Sequence, residues 1–152
     1  MARQTQRRTE RGFTLIELLV VLVILGLVSA FAAPRVLQYL SSAKRDTAEI
    51  QIERLSEVLD LYKLEVGQYP TSDQGLEALI EKPAGVSGWN GPYLKKGREM
   101  LTDPWGNRYQ YRRPGEHGAF DLFSYGADGE PGGQGENADV TNWSSGDDGA
   151  TS

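Results

Sequence analysis

The chain contains no cysteine and a single histidine among its 152 residues. The absence of cysteine excludes a disulfide framework and any metal site built from thiolates. Neither a G-x-S-x-G motif nor a P-loop is present, so nucleophilic and phosphoryl-transfer chemistry lack their usual residues. The histidine, His117, lies in a segment rich in proline and glycine, where a surface turn residue is expected rather than a general base. We therefore expect a protein that is not an enzyme.

Basic residues are absent from the C-terminal part of the chain. No lysine or arginine follows Arg113, whereas eight acidic residues do. Phosphate groups are bound by basic surfaces, so no nucleic acid is expected as a partner there. The net charge of −5 thus hides a gradient from a basic start to an acidic end.

A long uncharged run follows the basic start. Residues 1–12 contain four arginines and one glutamate, and residues 18–33 carry no charge. Counted from Phe13, the apolar span is long enough for a helix to cross the hydrocarbon core of a bilayer. Because positive flanks stay in the cytoplasm, we expect a single-pass anchor with its N-terminus inside and the rest of the chain outside.

A removable secretory signal peptide has the same order of basic and apolar regions. The run is longer than a typical signal core, and Pro34-Arg35 is a poor cleavage site, so a retained anchor is favoured. Glu17 lies within the run, where a charge costs about 2.5–3.5 kcal/mol at a helix centre and less near an end. We expect Glu17 to have a partner; the alternative is a hydrated carboxylate at the membrane interface.

Beyond the apolar run, apolar residues recur with helical spacing. Steps of 4, 3, 4, 3 and 4 define a one-sided stripe. Its members are Ala48, Ile52, Leu55, Leu59, Tyr62 and Val66. We expect one nearly continuous helix, with a transmembrane half over residues 13–33 and an amphipathic half over residues 34–66. Residues 67–152 then form the globular domain that covers the stripe.

The globular part contains signals for one short helix and one hairpin. Thr71 and Gln74 predict a capping box that opens a helix ending near Lys82. Residues 84–107 are loop-like, and their aromatic residues are expected to fill the core. Side-chain character alternates along residues 108–112, which predicts a strand, and residues 119–124 are expected to form its antiparallel partner. A long N-terminal helix packed on a small C-terminal antiparallel sheet is an α+β fold. The glycine-rich acidic tail from residue 126 would be disordered if left alone.

The start of the apolar run also carries a recognisable motif. Arg11-Gly12-Phe13-Thr14-Leu15-Ile16-Glu17-Leu18 resembles the leader junction of type IV pilins and pseudopilins. Five downstream blocks narrow the resemblance to the major pseudopilins of type II secretion systems. They are YPTSDQGL (69–76), GPYLKK (91–96), DPWGN (103–107), FSYGADG (123–129) and GGQGENAD (132–139). The resemblance spans residues 11–143 and implies a pilin-like fold.

The resemblance implies processing at the junction. In that family, prepilin peptidase cuts after the residue that matches Gly12, and the new N-terminal residue, here Phe13, is methylated. Residues 1–12 would then be a leader that is removed. The new α-amine of Phe13, positive at neutral pH, lies four residues from Glu17. The family's assembly implies that Glu17 neutralises the amine of a neighbouring subunit, and pairing within one subunit stays open.

The resemblance also implies a calcium ion in the acidic C-terminal loop. Calcium binds six to eight oxygen atoms from carboxylates, carbonyls and water. Asp128 and Asp139 match the family's carboxylate positions, and the backbone carbonyl of Tyr125 is expected as a ligand. Further candidates are Glu130, Glu136, Asn137 and Val140. Composition alone would favour a solvated acidic loop.

The resemblance finally implies a function, the major structural subunit of the type II secretion pseudopilus. Such a subunit polymerises through its N-terminal helix into a periplasmic filament that helps drive folded proteins through an outer-membrane channel. The implied partners are other copies, minor pseudopilins, prepilin peptidase, the inner-membrane assembly platform and the outer-membrane secretin. One alternative is a type IV pilin for adhesion, motility or DNA uptake, although many such pilins close a loop with a disulfide. Another is a lone membrane-tethered calcium- or ligand-binding module.

Overall fold

The chain divides into two compact units, Met1–Tyr39 and Leu40–Ser152. The computed structural model describes residues 12–144, without the side chains of residues 31–34 and 37–38. One helix, α1 (Leu15–Val66), contributes to both units and continues through Pro34. Residues 1–11 of the expected leader and residues 145–152 of the tail lie outside the described range.

The apolar stripe is the buried face of α1 in the second unit. Ala48, Leu55 and Leu59 are fully buried, and Ile52 and Tyr62 are nearly so. Val66 is partly buried against the same core. The steps of three and four residues place these side chains on one side of the helix, and the rest of the unit covers them.

The capping box predicted at Thr71 forms, but the helix that follows it differs from the prediction. The Thr71 amide donates to Gln74 Oε1 at 2.9 Å, and the Gln74 amide donates to Thr71 Oγ1 at 3.2 Å. A 3₁₀ helix over Leu76–Leu79 follows, so the predicted helix to Lys82 is wrong. Gly75, with φ 59° and ψ −165°, separates the capped turn from this segment, and no α-helix propagates through that conformation.

Three short antiparallel strands form the sheet: β1 (Gln110–Arg112), β2 (Asp121–Ser124) and β3 (Val140–Thr141). Their order is β1-β2-β3, with Tyr111 opposite Leu122 and Ser124 opposite Val140. The predicted hairpin is therefore confirmed, with shorter strands. The third strand was not predicted, because two residues in a polar tail carry no periodic signal.

The aromatic residues of the loop-like segment pack against the core, as predicted. Trp89, Tyr93 and Trp105 are partly buried there. The Trp89 indole N–H donates to the carbonyl of Ala78 at 2.8 Å, which satisfies its polar edge. A second 3₁₀ helix, Gly97–Leu101, interrupts the segment that was expected to be a loop, and it buries Leu101.

Candidate functional site

The junction residues precede α1 and are exposed. Gly12 and Phe13 lie outside the helix, and 79% of Phe13 is accessible. Apart from Gly12 itself and its two neighbours in the chain, no atom of the described residues lies within 4 Å of the position that a Cβ on Gly12 would occupy. The packing of the described chain therefore gives no reason for glycine at this position.

Glu17 forms a capping box with Thr14 at the start of α1. The Thr14 amide donates to Glu17 Oε2 at 3.5 Å, and the Glu17 amide donates to Thr14 Oγ1 at 3.3 Å. A carboxylate in the first turn also interacts favourably with the helix dipole. The Thr-x-x-Glu spacing is a sequence signal for this cap, and sequence reasoning missed it because it considered Glu17 only as a charge in an apolar run.

The first unit exposes large apolar side chains in every direction. All twelve of those between Leu15 and Val28 have relative exposures of 46–90%. Successive residues are rotated by about 100° around the axis, so this apolar surface surrounds the helix. Within residues 12–144, no helix meets the length and hydropathy required to cross a membrane.

A backbone hydrogen bond joins the two ends of the acidic loop, residues 126–139. The Ala127 amide donates to the Glu136 carbonyl at 2.8 Å. Gly126 has φ 71°, and a Cβ there would lie 2.6 Å from the same oxygen. Glycine is needed at this position because both the backbone conformation and the close approach exclude a side chain.

The two carboxylates expected to bind calcium lie in this loop. Asp128 Oδ1 accepts from the Glu130 amide at 3.2 Å, while both oxygens of Asp139 accept from the Gly132 amide at 3.0 Å. Within the described part of the chain, no three Asp, Glu or His side chains come together to hold a metal ion. An ion in this loop would therefore need backbone carbonyls beside these carboxylates, and calcium accepts such a mixed oxygen set.

The remaining calcium candidates occupy different settings. Tyr125 is half-buried, with its ring edge-to-face on Phe123 at 5.1 Å. The side chains of Glu130 and Asn137 are exposed. Glu136 contributes its carbonyl to closing the loop, and Val140 is a core residue of β3 at 2% exposure.

Sequence reasoning missed a buried carboxylate that adjoins the loop. Asp103, 5% exposed, begins a turn over residues 103–107, and its Oδ1 accepts the amides of Trp105 and Asn107 at 3.0 and 2.8 Å. Its Oδ2 accepts the hydroxyl of Ser124 at 2.5 Å. Burial raises the pKa of Tyr109, and the negative charge of Asp103 adds to that shift. The Asp-Pro-x-Gly sequence is a turn signal that could have identified this carboxylate.

A second buried carboxylate, Asp121, lies beside the histidine. It is 1% exposed and accepts the amides of Glu116 and His117 at 2.9 and 3.1 Å. His117 Nδ1 lies 3.3 Å from Asp121 Oδ2, while its ring is partly exposed. Burial by itself would raise the pKa of Asp121, but these hydrogen bonds and the imidazole together lower it. This arrangement holds the hairpin turn closed.

Family models match nearly the whole chain. The model described as type II secretion system (T2SS), protein G, matches residues 35–143. The model described as the prokaryotic N-terminal methylation motif matches residues 7–33, which include the junction.

Individual proteins of known identity are similar over almost their full length. The type II secretion system core protein G of Pseudomonas aeruginosa is 49% identical over 91% of this chain and 98% of that protein. The type II secretion system core protein G of Vibrio cholerae is 46% identical over 90% of this chain and 93% of that protein. The crystal structure of the major pseudopilin from the type 2 secretion system of enterohaemorrhagic Escherichia coli matches with a TM-score of 0.60. Its identity is 33%, over 71% of this chain and 89% of that one.

Proposed function

The chain belongs to the type II secretion system protein G family, the major pseudopilins, and we propose that it polymerises into the secretion pseudopilus. As a member of a family of core secretion proteins, it is a structural subunit rather than an enzyme. In this proposal, stacked N-terminal helices form the filament core and the second units coat it. Growth of the filament from the inner membrane helps drive folded proteins through the outer-membrane channel.

The observation that carries the proposal is the exposed apolar surface of α1 between Leu15 and Val28. Burying one large aliphatic side chain gains about 1.5–3 kcal/mol, so leaving twelve of them in water is very unfavourable. Because this surface surrounds the helix, a single contact on one side leaves most of it uncovered. Lipid before assembly, and neighbouring copies of the same helix afterwards, would cover all sides.

This surface also supports the proposed location of the subunit. The helix would anchor the unassembled subunit in the bacterial inner membrane, with the N-terminus in the cytoplasm and the second unit in the periplasm. The arginines of residues 1–12 agree with that orientation, because positive flanks remain in the cytoplasm. The match to the N-terminal methylation motif supports an anchored precursor.

Processing by prepilin peptidase accounts for glycine at position 12. The packing of the described residues leaves room for a side chain at this position. The requirement for glycine would therefore come from the active site of the peptidase that cleaves the junction. Cleavage would free the amine of Phe13 for methylation. It would also remove the leader, so that the mature chain begins one residue before Thr14, which caps α1.

Glu17 would then serve assembly. Its carboxylate lies in the first turn of α1 with one amide donor from Thr14, at the long distance of 3.5 Å. A carboxylate so weakly satisfied would gain from a positive partner once lipid or neighbouring helices exclude water. The amine of Phe13 on a neighbouring subunit is that partner, and the pair would set the axial register of the helices.

The proposed partners follow from this role. Besides other copies of the chain, they are the minor pseudopilins, prepilin peptidase, the inner-membrane assembly platform and the outer-membrane secretin. The peptidase and the platform would bind the first unit, because both would act in or at the inner membrane. No nucleic acid is among the proposed partners.

We further propose that the acidic loop binds calcium. Asp128 and Asp139 would supply carboxylate oxygens, and backbone carbonyls, including that of Tyr125, would complete the set. Neither carboxylate has a cationic side chain within ion-pair distance among the described residues, so calcium would neutralise them. Calcium would then further stabilise the loop conformation that the hydrogen bonds within the chain already favour.

Overproduction of the full chain together with the other components of a secretion system tests the filament proposal. We expect electron microscopy to reveal filaments that antibodies against the chain decorate. We also expect export of a folded periplasmic enzyme to be lost when the gene is deleted. Membrane-bound monomers without filaments, together with normal export from the deletion strain, would refute the proposal.

A further inference from the structure

The turn over residues 103–107 holds Gly126 by both of its backbone polar groups. The Gly126 amide donates to Ser124 Oγ at 3.0 Å, and Ser124 in turn donates to Asp103 Oδ2. The Gly126 carbonyl accepts from Asn107 Nδ2 at 2.8 Å. The first residue of the acidic loop is thus fixed from two sides by one turn.

Burial makes this arrangement difficult to replace with water. Ser124 is completely buried and Asp103 nearly so. Both oxygens of Asp103 are engaged, one by the amides of its own turn and the other by Ser124. Loss of any member would leave a buried donor or acceptor unpaired, so the hydrogen bonds favour a single backbone position for Gly126.

The Asn107 side chain also faces the space beside Gly129. A Cβ added to Gly129 would lie 3.6–3.7 Å from three atoms of the Asn107 amide group. Tyr125 directly precedes Gly126, and Asp128 follows it by two residues. Both proposed ligands at this end of the loop are therefore within two residues of the backbone group that Asn107 holds.

We propose that this turn is a clamp that positions Tyr125 and Asp128 for calcium, with Asn107 as the residue that holds the loop. The part concerning calcium rests on the calcium site proposed above. The clamp acts before any ion is bound, because all of its hydrogen bonds are made within the chain. A loop held in advance loses less conformational freedom on binding, so the clamp raises calcium affinity without contributing a ligand.

The change Asn107→Ala removes only the side-chain contacts. The backbone bonds of the turn remain, because they join Asp103 to the main chain of residue 107. Gln110→Ala is the matched control, since it deletes an amide that donates to a backbone carbonyl, that of Arg108, outside the loop. Ser124→Ala is a second test, because it removes the hydroxyl between Asp103 and Gly126.

The first measurement is hydrogen–deuterium exchange by mass spectrometry on the full chain in detergent with excess EDTA. We expect peptides from residues 125–139 to exchange at least tenfold faster in Asn107→Ala and Ser124→Ala than in the wild type and Gln110→Ala. Peptides from residues 48–66 should exchange as in the wild type. If the loop exchanges at the wild-type rate in both test variants, the clamp is refuted, whether or not the loop binds calcium.

The second measurement is calcium titration of the same EDTA-stripped proteins by isothermal calorimetry. We expect the dissociation constant of Asn107→Ala to rise about tenfold and that of Gln110→Ala to match the wild type. Wild-type affinity in both test variants would refute ligand positioning. A wild-type protein that binds no calcium would instead refute the calcium site, while exchange in EDTA would still decide whether the clamp exists.

Discussion

The imidazole of His117 stacks on the indole of Trp143, with ring centroids 4.0 Å apart and planes 4° from parallel. The contact joins the β1–β2 turn to the residues that follow β3. Trp143 also packs edge-to-face against Phe123 with ring centroids 5.7 Å apart, and Asp121 Oδ2 lies 3.3 Å from Nδ1 of the same His117 ring. The end of the described chain is therefore attached to the hairpin, and this attachment stabilises the two-residue strand β3.

Replacing Asp121 with asparagine should destabilise the second unit by about 1.5–3 kcal/mol at neutral pH. The amides of Glu116 and His117 donate to different oxygens of Asp121, and asparagine replaces one of these oxygens with an NH2 group that cannot accept. The lowered pKa of Asp121 gives the effect a pH dependence. The contribution of the carboxylate is complete above its unfolded pKa of about 3.9 and is lost as the pH falls through the lower folded value.

The difference between wild type and Asp121→Asn should therefore shrink below about pH 4. Thermal unfolding of the full chain in detergent, followed by near-ultraviolet circular dichroism between pH 2 and 7, measures it. Asp73→Asn, at an exposed position, is the control and should differ from the wild type by less than about 0.5 kcal/mol. A difference that stays constant across this pH range would show that the charge of Asp121 is unimportant.

The change Leu59→Ala should destabilise the second unit by about 2–5 kcal/mol, because Leu59 is fully buried and its truncation leaves a cavity. Leu64→Ala, on the same helix but at a position 82% exposed, should change stability by less than about 0.5 kcal/mol. Chemical denaturation of both variants measures the contrast. Equal losses in the two would contradict the assignment of the buried face.

Glu17 has two possible roles, capping and charge pairing, and two variants separate them. Glu17→Gln keeps a capping side chain but removes the charge, whereas Thr14→Val removes the capping hydroxyl and keeps the charge. If charge pairing drives assembly, Glu17→Gln should insert into the membrane without forming filaments, and Thr14→Val should form them.

Membrane fractionation and electron microscopy give both readouts for Glu17. Glu17→Ala should behave as Glu17→Gln does, because both lack the charge. Normal filaments from either Glu17 variant would refute the pairing proposal. Loss of filaments in Thr14→Val alone would assign the role to the cap.

Calcium should raise the melting temperature of the full chain. When the calcium concentration is about a hundred times the dissociation constant, binding raises the free energy of unfolding by about 2.7 kcal/mol. For a domain of this size, that corresponds to a rise in melting temperature of about 10 °C or more. Asp128→Ala should abolish the rise and Asp73→Ala should keep it. Scanning calorimetry with millimolar calcium or with EDTA measures this. An equal rise in both variants would place the ion elsewhere.

Much of the fold could be predicted from the spacing of apolar and turn-forming residues that are close in the sequence. The spacing from Ala48 to Val66 identified the buried face of α1, since helical period alone decides which side chains share a side. Alternation and the proline-glycine turn identified β1 and β2. In both cases the information lies within a few neighbouring residues.

The candidate sites were only partly predictable. The junction and the acidic loop stand out through sequence motifs, whereas the sequence shows Asp103 only as a member of a loop-like segment and of the DPWGN block. Its importance comes from Ser124, 21 residues away, just as that of Asn107 comes from Gly126, 19 residues away. No local pattern reports a partner at that distance.

The sequence by itself determined the long helix, its apolar stripe, the hairpin and the junction, because each depends on short-range periodicity or on a contiguous motif. The tertiary structure alone decided that Leu76–Leu79 forms a 3₁₀ helix, that Val140 joins the sheet and that one turn holds the acidic loop. These features depend on which distant groups the folded chain brings within hydrogen-bonding distance and shields from water.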